Sequence, residues 1–321
     1  MRNVRKETLI HVPLPDGELR EMILEAARRH DLHVSFAGSE EEALALAEKA
    51  EIILGQSPAL CRHAPHLEWM CTCSAGVDHF RREDFLSREA LFSNSSGAYG
   101  VTISEHVIMS VLYLLRMQDR YSQIVKERKW TRNLAVSSIR DSRITLLGTG
   151  DIGSTCARRF RGFEPQSITG VSRRGHACSD MDRVVRVEEI DEVLRNTDIL
   201  VLSLPATSLT WHLLDRKRLG MLHDGAVIVN VGRGQSLDEG AMEEELRKGR
   251  LRAALDVFEE EPLPEKSSLW TCPNLLITPH TAGNMTLPYT RRRIVELFLE
   301  DLERFMRGEK PLRLVDLGQG Y

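Results

Sequence analysis

The sequence predicts an α/β protein with two doubly wound, Rossmann-like domains on parallel sheets, the first of them discontinuous. Three observations predict it. Short apolar runs alternate with helical stretches along the chain. The alternation runs its course once and restarts at Arg143. A long amphipathic segment then remains after the last strand, with no strand left to partner it. The length of 321 residues suits two cores rather than one, and the 42% apolar share suits packed rather than disordered chain.

The first pass begins with "LIHVPL", Leu9 to Leu14, as a strand. "GELREMILEAARRH" follows with helical spacing, and "HVSFAG" is the next strand. "SEEEALALAEKA" is a helix opened by Ser39 as cap, with Glu42 three residues on. "EIILG" at Glu51 and "LEWMCTCSAG" at Leu67 continue the pattern. A helical stretch from about Ile103 to Lys129 separates the two passes, with the greasy segment Ile103 to Leu115 given little of its own domain to cover it. The second pass has strands at "RITLLG", "SITGV", "DILVLSLP", "AVIVNVG", "RAALDVF" and "NLLITPH". Runs this apolar are buried on both faces of a parallel sheet. The terminal segment "LPYTRRRIVELFLEDLERFMRG" is a helix that crosses back to the first domain.

Composition excludes several function classes. The net charge of −4 gives no reason to expect nucleic acid or an acidic membrane surface as a partner. The six cysteines are scattered, with no histidine pair at zinc spacing, so reduced thiols in a cytoplasmic protein and no metal site are expected. The N-terminus lacks the apolar core of a signal peptide, and "VIMSVLYLL" is too short to span a bilayer.

The loop "GTGDIG", Gly148 to Gly153, has a strand before it, a helix after it and a second strand beyond. That context makes it a dinucleotide loop rather than a plain turn. Gly148 permits the tight turn, Gly150 lets backbone approach a pyrophosphate, and Gly153 lets the helix pack on the strand. Asp151 and Ile152 complete the loop at the helix N-terminus, whose unpaired N–H groups attract phosphate. An acid about 20 residues on normally holds the adenosine ribose. "GVSRRG" has none: Ser172, Arg173 and Arg174 stand there. A carboxylate repels a 2′-phosphate, whereas forked guanidinium donors match it. The segment therefore reads as an NADP(H) site, preferred over NAD(H); two solvated surface arginines are the alternative.

Taken in order, "CSAGVDHF", "GTGDIG", "LSLPATSLTWHLLD", "VNVGRGQSLDE", "LDVFEEEPLP" and "LITPHTAG" resemble the D-isomer-specific 2-hydroxyacid dehydrogenase family over nearly the whole chain. The arginine variant resembles the family's NADPH-using glyoxylate and hydroxypyruvate reductases. The resemblance implies a substrate domain over 1–102, a dinucleotide-binding domain over 103–286, and a C-terminal helix, 287–321, returning to the substrate domain. It implies hydride transfer between NADP(H) and a small 2-keto or 2-hydroxy acid, with Arg233, Glu261 and His280 as catalytic residues. Arginine there grips the substrate carboxylate and polarises the keto oxygen; histidine suits proton transfer near neutral pH. Glu259, Glu260 and Glu261 form one acidic run, and residue chemistry does not choose among them; only the family's Glu-Pro pairing selects Glu261.

The same resemblance gives the substrate carboxylate to the amides of Ala75, Gly76 and Val77, a small-residue turn of the anion-binding kind. It places Leu204, Pro205 and Val231 along the cofactor, Asp256 on the nicotinamide carboxamide and Gly283 near the ring; a turn-capping role for Asp256 is the alternative. It also implies a homodimer through the segment after Ile103. A dinucleotide-sensing corepressor of the same fold is the rival reading, since such proteins retain the triad. The side chain of the substrate is not legible.

Overall fold

The computed structural model describes residues 5–15 and 17–318. The chain divides into two compact units, Met1–Ala98 with Met285–Tyr321, and Tyr99–Asn284.

The first unit opens with β1 (Lys6–Ile10), α1 (Glu18–His30), β2 (Leu32–Phe36), α2 (Glu40–Ala47), β3 (Ile52–Gly55), α3 (Pro58–Arg62), β4 (Trp69–Thr72) and β5 (Leu91–Ser93). All five strands are parallel, in the order β2-β1-β3-β4-β5. Helices form where the apolar spacing asks for them: α1 buries Ile23, Ala26 and Ala27, three and four residues apart. The Ser39 hydroxyl accepts from Glu42 N and caps α2. The Glu42 carboxylate reaches back one residue past the cap, to Gly38 N at 2.7 Å. β3 and β4 are buried along their whole length, as strands covered on both faces must be. The short β5 carries no alternation and is the strand that the apolar pattern misses.

The second unit contains α4 (Gly100–Leu115), α5 (Gln118–Lys126), β6 (Arg143–Leu147), α6 (Asp151–Phe160), β7 (Ser167–Ser172), β8 (Arg183–Arg186), α7 (Ile190–Leu194), β9 (Ile199–Leu202), α8 (Arg216–Leu219), β10 (Val227–Asn230), α9 (Glu239–Arg247), β11 (Arg252–Leu255) and β12 (Leu275–Ile277). Its seven parallel strands run β12-β11-β10-β9-β6-β7-β8. The order reverses between β9 and β6, and the glycine loop leaves β6 at that switch point, where doubly wound sheets bind their ligands. The half-exposed edge strand β8, "RVVR", is too polar at its ends to be read as a strand from sequence.

The apolar stretch after Ile103 corrects the sequence reading in two ways. One face of it is covered by its own unit: α4 packs on α6, β10 and β11, burying Ile103, Val107, Val111, Leu114 and Leu115. It is also not one helix. Met117 takes a left-handed φ of 56°, and α5 leaves at 65° to α4. The Arg252 guanidinium donates to Leu114 O and to Asp119, satisfying an end carbonyl of α4 at the bend. Among the described residues no single helix is long and apolar enough to cross a membrane.

The terminal helix α10 (Pro288–Met306) belongs to the first unit. It packs on α1, and Phe298 and Phe305 lie over Trp69 at 5.3 Å between ring centroids. The following segment pairs with the edge of β5 through the antiparallel bridge Ser93–Leu314. Asp301, buried on α10, holds that segment by accepting from Leu312 N at 2.7 Å and by pairing with Arg313 at 3.0 Å. The first unit is thus built from two separate stretches of the chain.

Candidate active site

The register of three neighbouring strands assembles the site. Asn230 of β10 pairs with Leu255 of β11, and Leu255 pairs with Ile277 of β12. Three residues past Asn230 comes Arg233; six past Leu255 comes Glu261; three past Ile277 comes His280. The sequence-derived triad therefore leaves the carboxyl ends of three adjacent parallel strands.

His280 is held from both sides. Its N–H lies 2.9 Å from Asp256 O and 3.0 Å from Thr278 O, and its φ is 52°, so the residue caps a tight turn. Its Nδ1 lies 2.7 Å from Glu261 Oε2, and the other Glu261 oxygen accepts from Phe258 N at 2.9 Å. A carboxylate facing Nδ1 places a proton there and leaves Nε2 for exchange with something outside. Half the imidazole surface is exposed, at 53%. Of the three glutamates, the structure gives the histidine contact to Glu261. Glu259 instead bonds the Glu239 amide and His212.

At the switch point, Gly148 has φ 103° and Gly153 abuts its carbonyl, so a side chain on Gly153 would overlap the Gly148 backbone. A side chain on Gly150 would meet nothing within 4 Å. Gly150 is also the N-cap of α6, and no side chain caps it. Open space over an uncapped helix N-terminus fits a dinucleotide pyrophosphate. The sequence profile of the D-isomer specific 2-hydroxyacid dehydrogenase NAD-binding domain matches residues 108–282.

The chain belongs to this dehydrogenase family. It is similar to glyoxylate/hydroxypyruvate reductase B of Serratia proteamaculans, 28% identical over 91% of this chain and 92% of that protein. Among solved structures, it resembles a D-isomer specific 2-hydroxyacid dehydrogenase family protein from Aeromonas salmonicida, 32% identical, with 98% and 99% of the two chains covered and a TM-score of 0.83. It also resembles the NADPH-dependent glyoxylate/hydroxypyruvate reductase of Sinorhizobium meliloti, solved with NADP and sulfate: 25% identical, 99% and 100% covered, TM-score 0.81. The protein is accordingly a 2-hydroxyacid oxidoreductase that uses a nicotinamide dinucleotide.

The remaining sequence-derived residues of this dehydrogenase fall as follows. At the ribose position the Ser172 hydroxyl accepts from Gly175 N at 3.1 Å, closing a turn whose tip exposes Arg173 and Arg174. Asp151 gives its carboxylate to Gly100 N at 2.9 Å, so that side chain faces the start of α4, and Ile152 follows it in the first turn of α6. Leu204 and Pro205 follow β9, and Leu204 backbone abuts Gly232 so closely that no side chain fits there. Val231 is buried, its N–H donating to Leu202 O. Gly283 faces Ile103 and Tyr99 within 3.5 Å of a Cβ position. The Arg233 guanidinium donates to its neighbour Gly232 O at 2.8 Å.

In the first unit, the carbonyls of Ala75 and Gly76 accept from Asn94 Nδ2 and Ser74 Oγ, both at 2.8 Å. In a trans peptide N–H and C=O point opposite ways, so these anchors aim the Gly76 and Val77 amides away from the body of the turn.

Asp256 is buried, 3% exposed. One oxygen accepts from Thr278 Oγ1 (2.6 Å) and Thr281 N (2.9 Å), the other from Ala282 N (3.0 Å). These bonds brace the turn on either side of His280. His106 reaches in from α4 to Thr278 Oγ1 at 3.2 Å; burial pushes its imidazole below the usual range, opposed by the Asp256 charge. Thr278 and His106 were not singled out from sequence, because nothing local marks them. Asp256→Ala leaves three donors without an acceptor and is expected to destabilise the fold by about 2–4 kcal/mol. A urea midpoint equal to wild type contradicts that bracing role.

Proposed function

We propose that the protein is an NADP(H)-preferring reductase of small 2-keto acids of the glyoxylate or hydroxypyruvate kind. The observation that carries this reading is the His280–Glu261 pair, with Arg233 following the next strand of the sheet. The names of relatives from Serratia and Sinorhizobium support the substrate class. The paired arginines in place of a ribose acid support the cofactor preference.

In this reading Arg233 grips the substrate carboxylate and polarises the adjacent keto oxygen. The amides of Ala75, Gly76 and Val77 meet the same carboxylate. Bound nicotinamide supplies the hydride that the keto carbon accepts. His280 gives its Nε2 proton to the oxygen as charge develops there, and Glu261 stabilises the imidazolium beforehand. Gly148, Gly150, Gly153 and the first amides of α6 hold the pyrophosphate, and Ser172, Arg173 and Arg174 hold the 2′-phosphate.

The same reading gives a cytoplasmic homodimer. The face of α4 that its own unit leaves uncovered presents Ile108, Met109, Leu112 and Tyr113, and Met109 is 44% exposed. An apolar strip of this kind is what a stable interface buries. A dimer is expected by light scattering at micromolar concentration, and a monomer contradicts it.

His280→Ala is expected to lower turnover on the order of 10²–10⁴-fold while NADPH binding persists. Glu261→Gln removes the charge that favours the imidazolium. Reduction requires that cation, so the pH at which the rate falls off should move down. An unmoved pH–rate profile in Glu261→Gln contradicts its role.

Cofactor preference has its own test. Losing one charge-assisted bond of roughly 1.5–3 kcal/mol weakens NADPH binding about 10–100-fold. Arg173→Ala is expected to do so while sparing NADH, which has no phosphate there, and Ser172→Asp with Arg173→Ala to tip preference towards NADH. Equal harm to both cofactors contradicts the 2′-phosphate assignment.

A further inference from the structure

Behind Glu261 lies a second acid that the reaction scheme does not use. Glu239 is the first residue of α9, and its N–H donates to Glu259 Oε1 at 3.1 Å. Its own Oε1 accepts from Glu259 N at 2.5 Å. The two glutamates thus bracket each other, side chain to main chain in both directions. The bracket ties the segment that carries Glu261 to the segment that carries Arg233. Between them the two backbones touch at Gly234, where any side chain would overlap Phe258 and Glu259.

We infer that Glu239 is a positioning residue for proton delivery, fixing the 258–261 segment through Glu259 and adding a negative charge behind the Glu261–His280 pair. The inference rests on the reductase reading above and deepens it.

The charged surroundings are specific. Glu259 and Glu261 face Glu239 from the loop after β11, and His212 faces it from the segment before α8, with Nε2 3.0 Å from Glu259 Oε1. Asp238, the N-cap of α9, lies beside it, within the field of Arg216 on α8. Arg216 itself pairs with Glu244. Burial, together with the charges of Glu259 and Glu261, pushes the Glu239 carboxyl above the usual range, and the Glu259 amide opposes that shift. Glu239 thus lies in the field of Glu259 and Glu261. A negative charge close to an imidazolium favours the charged form.

Two substitutions separate charge from fold. Glu239→Gln keeps an oxygen for the Glu259 N–H and removes the charge. Glu239→Asp keeps the charge and shortens the reach. The experiment is the pH dependence of kcat for glyoxylate reduction by NADPH, with KM and the thermal midpoint measured alongside. For Glu239→Gln the alkaline fall of kcat is expected roughly half a pH unit lower than in wild type, with KM within about twofold. For Glu239→Asp that fall is expected at the wild-type pH, with a reduced plateau. A Glu239→Gln profile whose alkaline fall stays in place overturns the inference, as does an equal shift in both variants. A wild type that does not turn over glyoxylate or hydroxypyruvate overturns the reductase reading instead.

Discussion

Three residues distant in sequence follow the ends of adjacent strands because β10, β11 and β12 are parallel and in register. A parallel sheet delivers every strand's carboxyl end to one edge, so whatever follows each strand collects there. Arg233 and His280 come three residues after their strands and Glu261 six after its own. The 2.7 Å contact between His280 and Glu261 depends on this alignment. A slip of one residue in either pairing would displace one partner by about 3.3 Å and turn its side chain to the other face.

Holding the loops beyond the strand ends is a separate task, and the chain uses carboxylates for it. Asp256 takes the Thr281 and Ala282 amides, Asp151 takes Gly100 N, and Asp301 takes Leu312 N. Each buries or half-buries an acid against main-chain donors, which offset the cost of taking it out of water. Glycines do the complementary work. Gly153, Gly232 and Gly234 sit where backbone meets backbone, at the glycine loop, behind Leu204 and behind Phe258. Arg233 lies between two of them, so its backbone is fixed by close packing.

Much of this was legible in the sequence, for reasons particular to each element. β3, β9 and β10 are continuous apolar runs, and a strand buried on both faces has no other way to read. The glycine loop announced itself through its flanking strand and helix. The choice of Glu261 over Glu259 and Glu260 came from resemblance alone; the structure separates them, because only Glu261 turns its carboxylate to His280 while Glu259 turns to α9. What stayed hidden was long-range. Nothing near Glu239 in the sequence announces Glu259, and nothing near His106 announces Thr278, 172 residues away. The cover of α4 was missed for the same reason: the elements that bury it, α6, β10 and β11, come later in the chain.

In the proposed reaction a hydride passes from a nicotinamide to the C2 carbon of a keto acid and a proton passes to its oxygen. The most direct measurement follows the atoms. The protein is incubated with hydroxypyruvate and NADPH stereospecifically deuterated at C4 of the nicotinamide, once with each epimer, and the product is analysed by mass spectrometry and chiral separation. One epimer is expected to give D-glycerate carrying a single deuterium at C2, with the oxidised cofactor formed in equal amount. Unlabelled product from both epimers, or no 2-hydroxy acid at all, contradicts it.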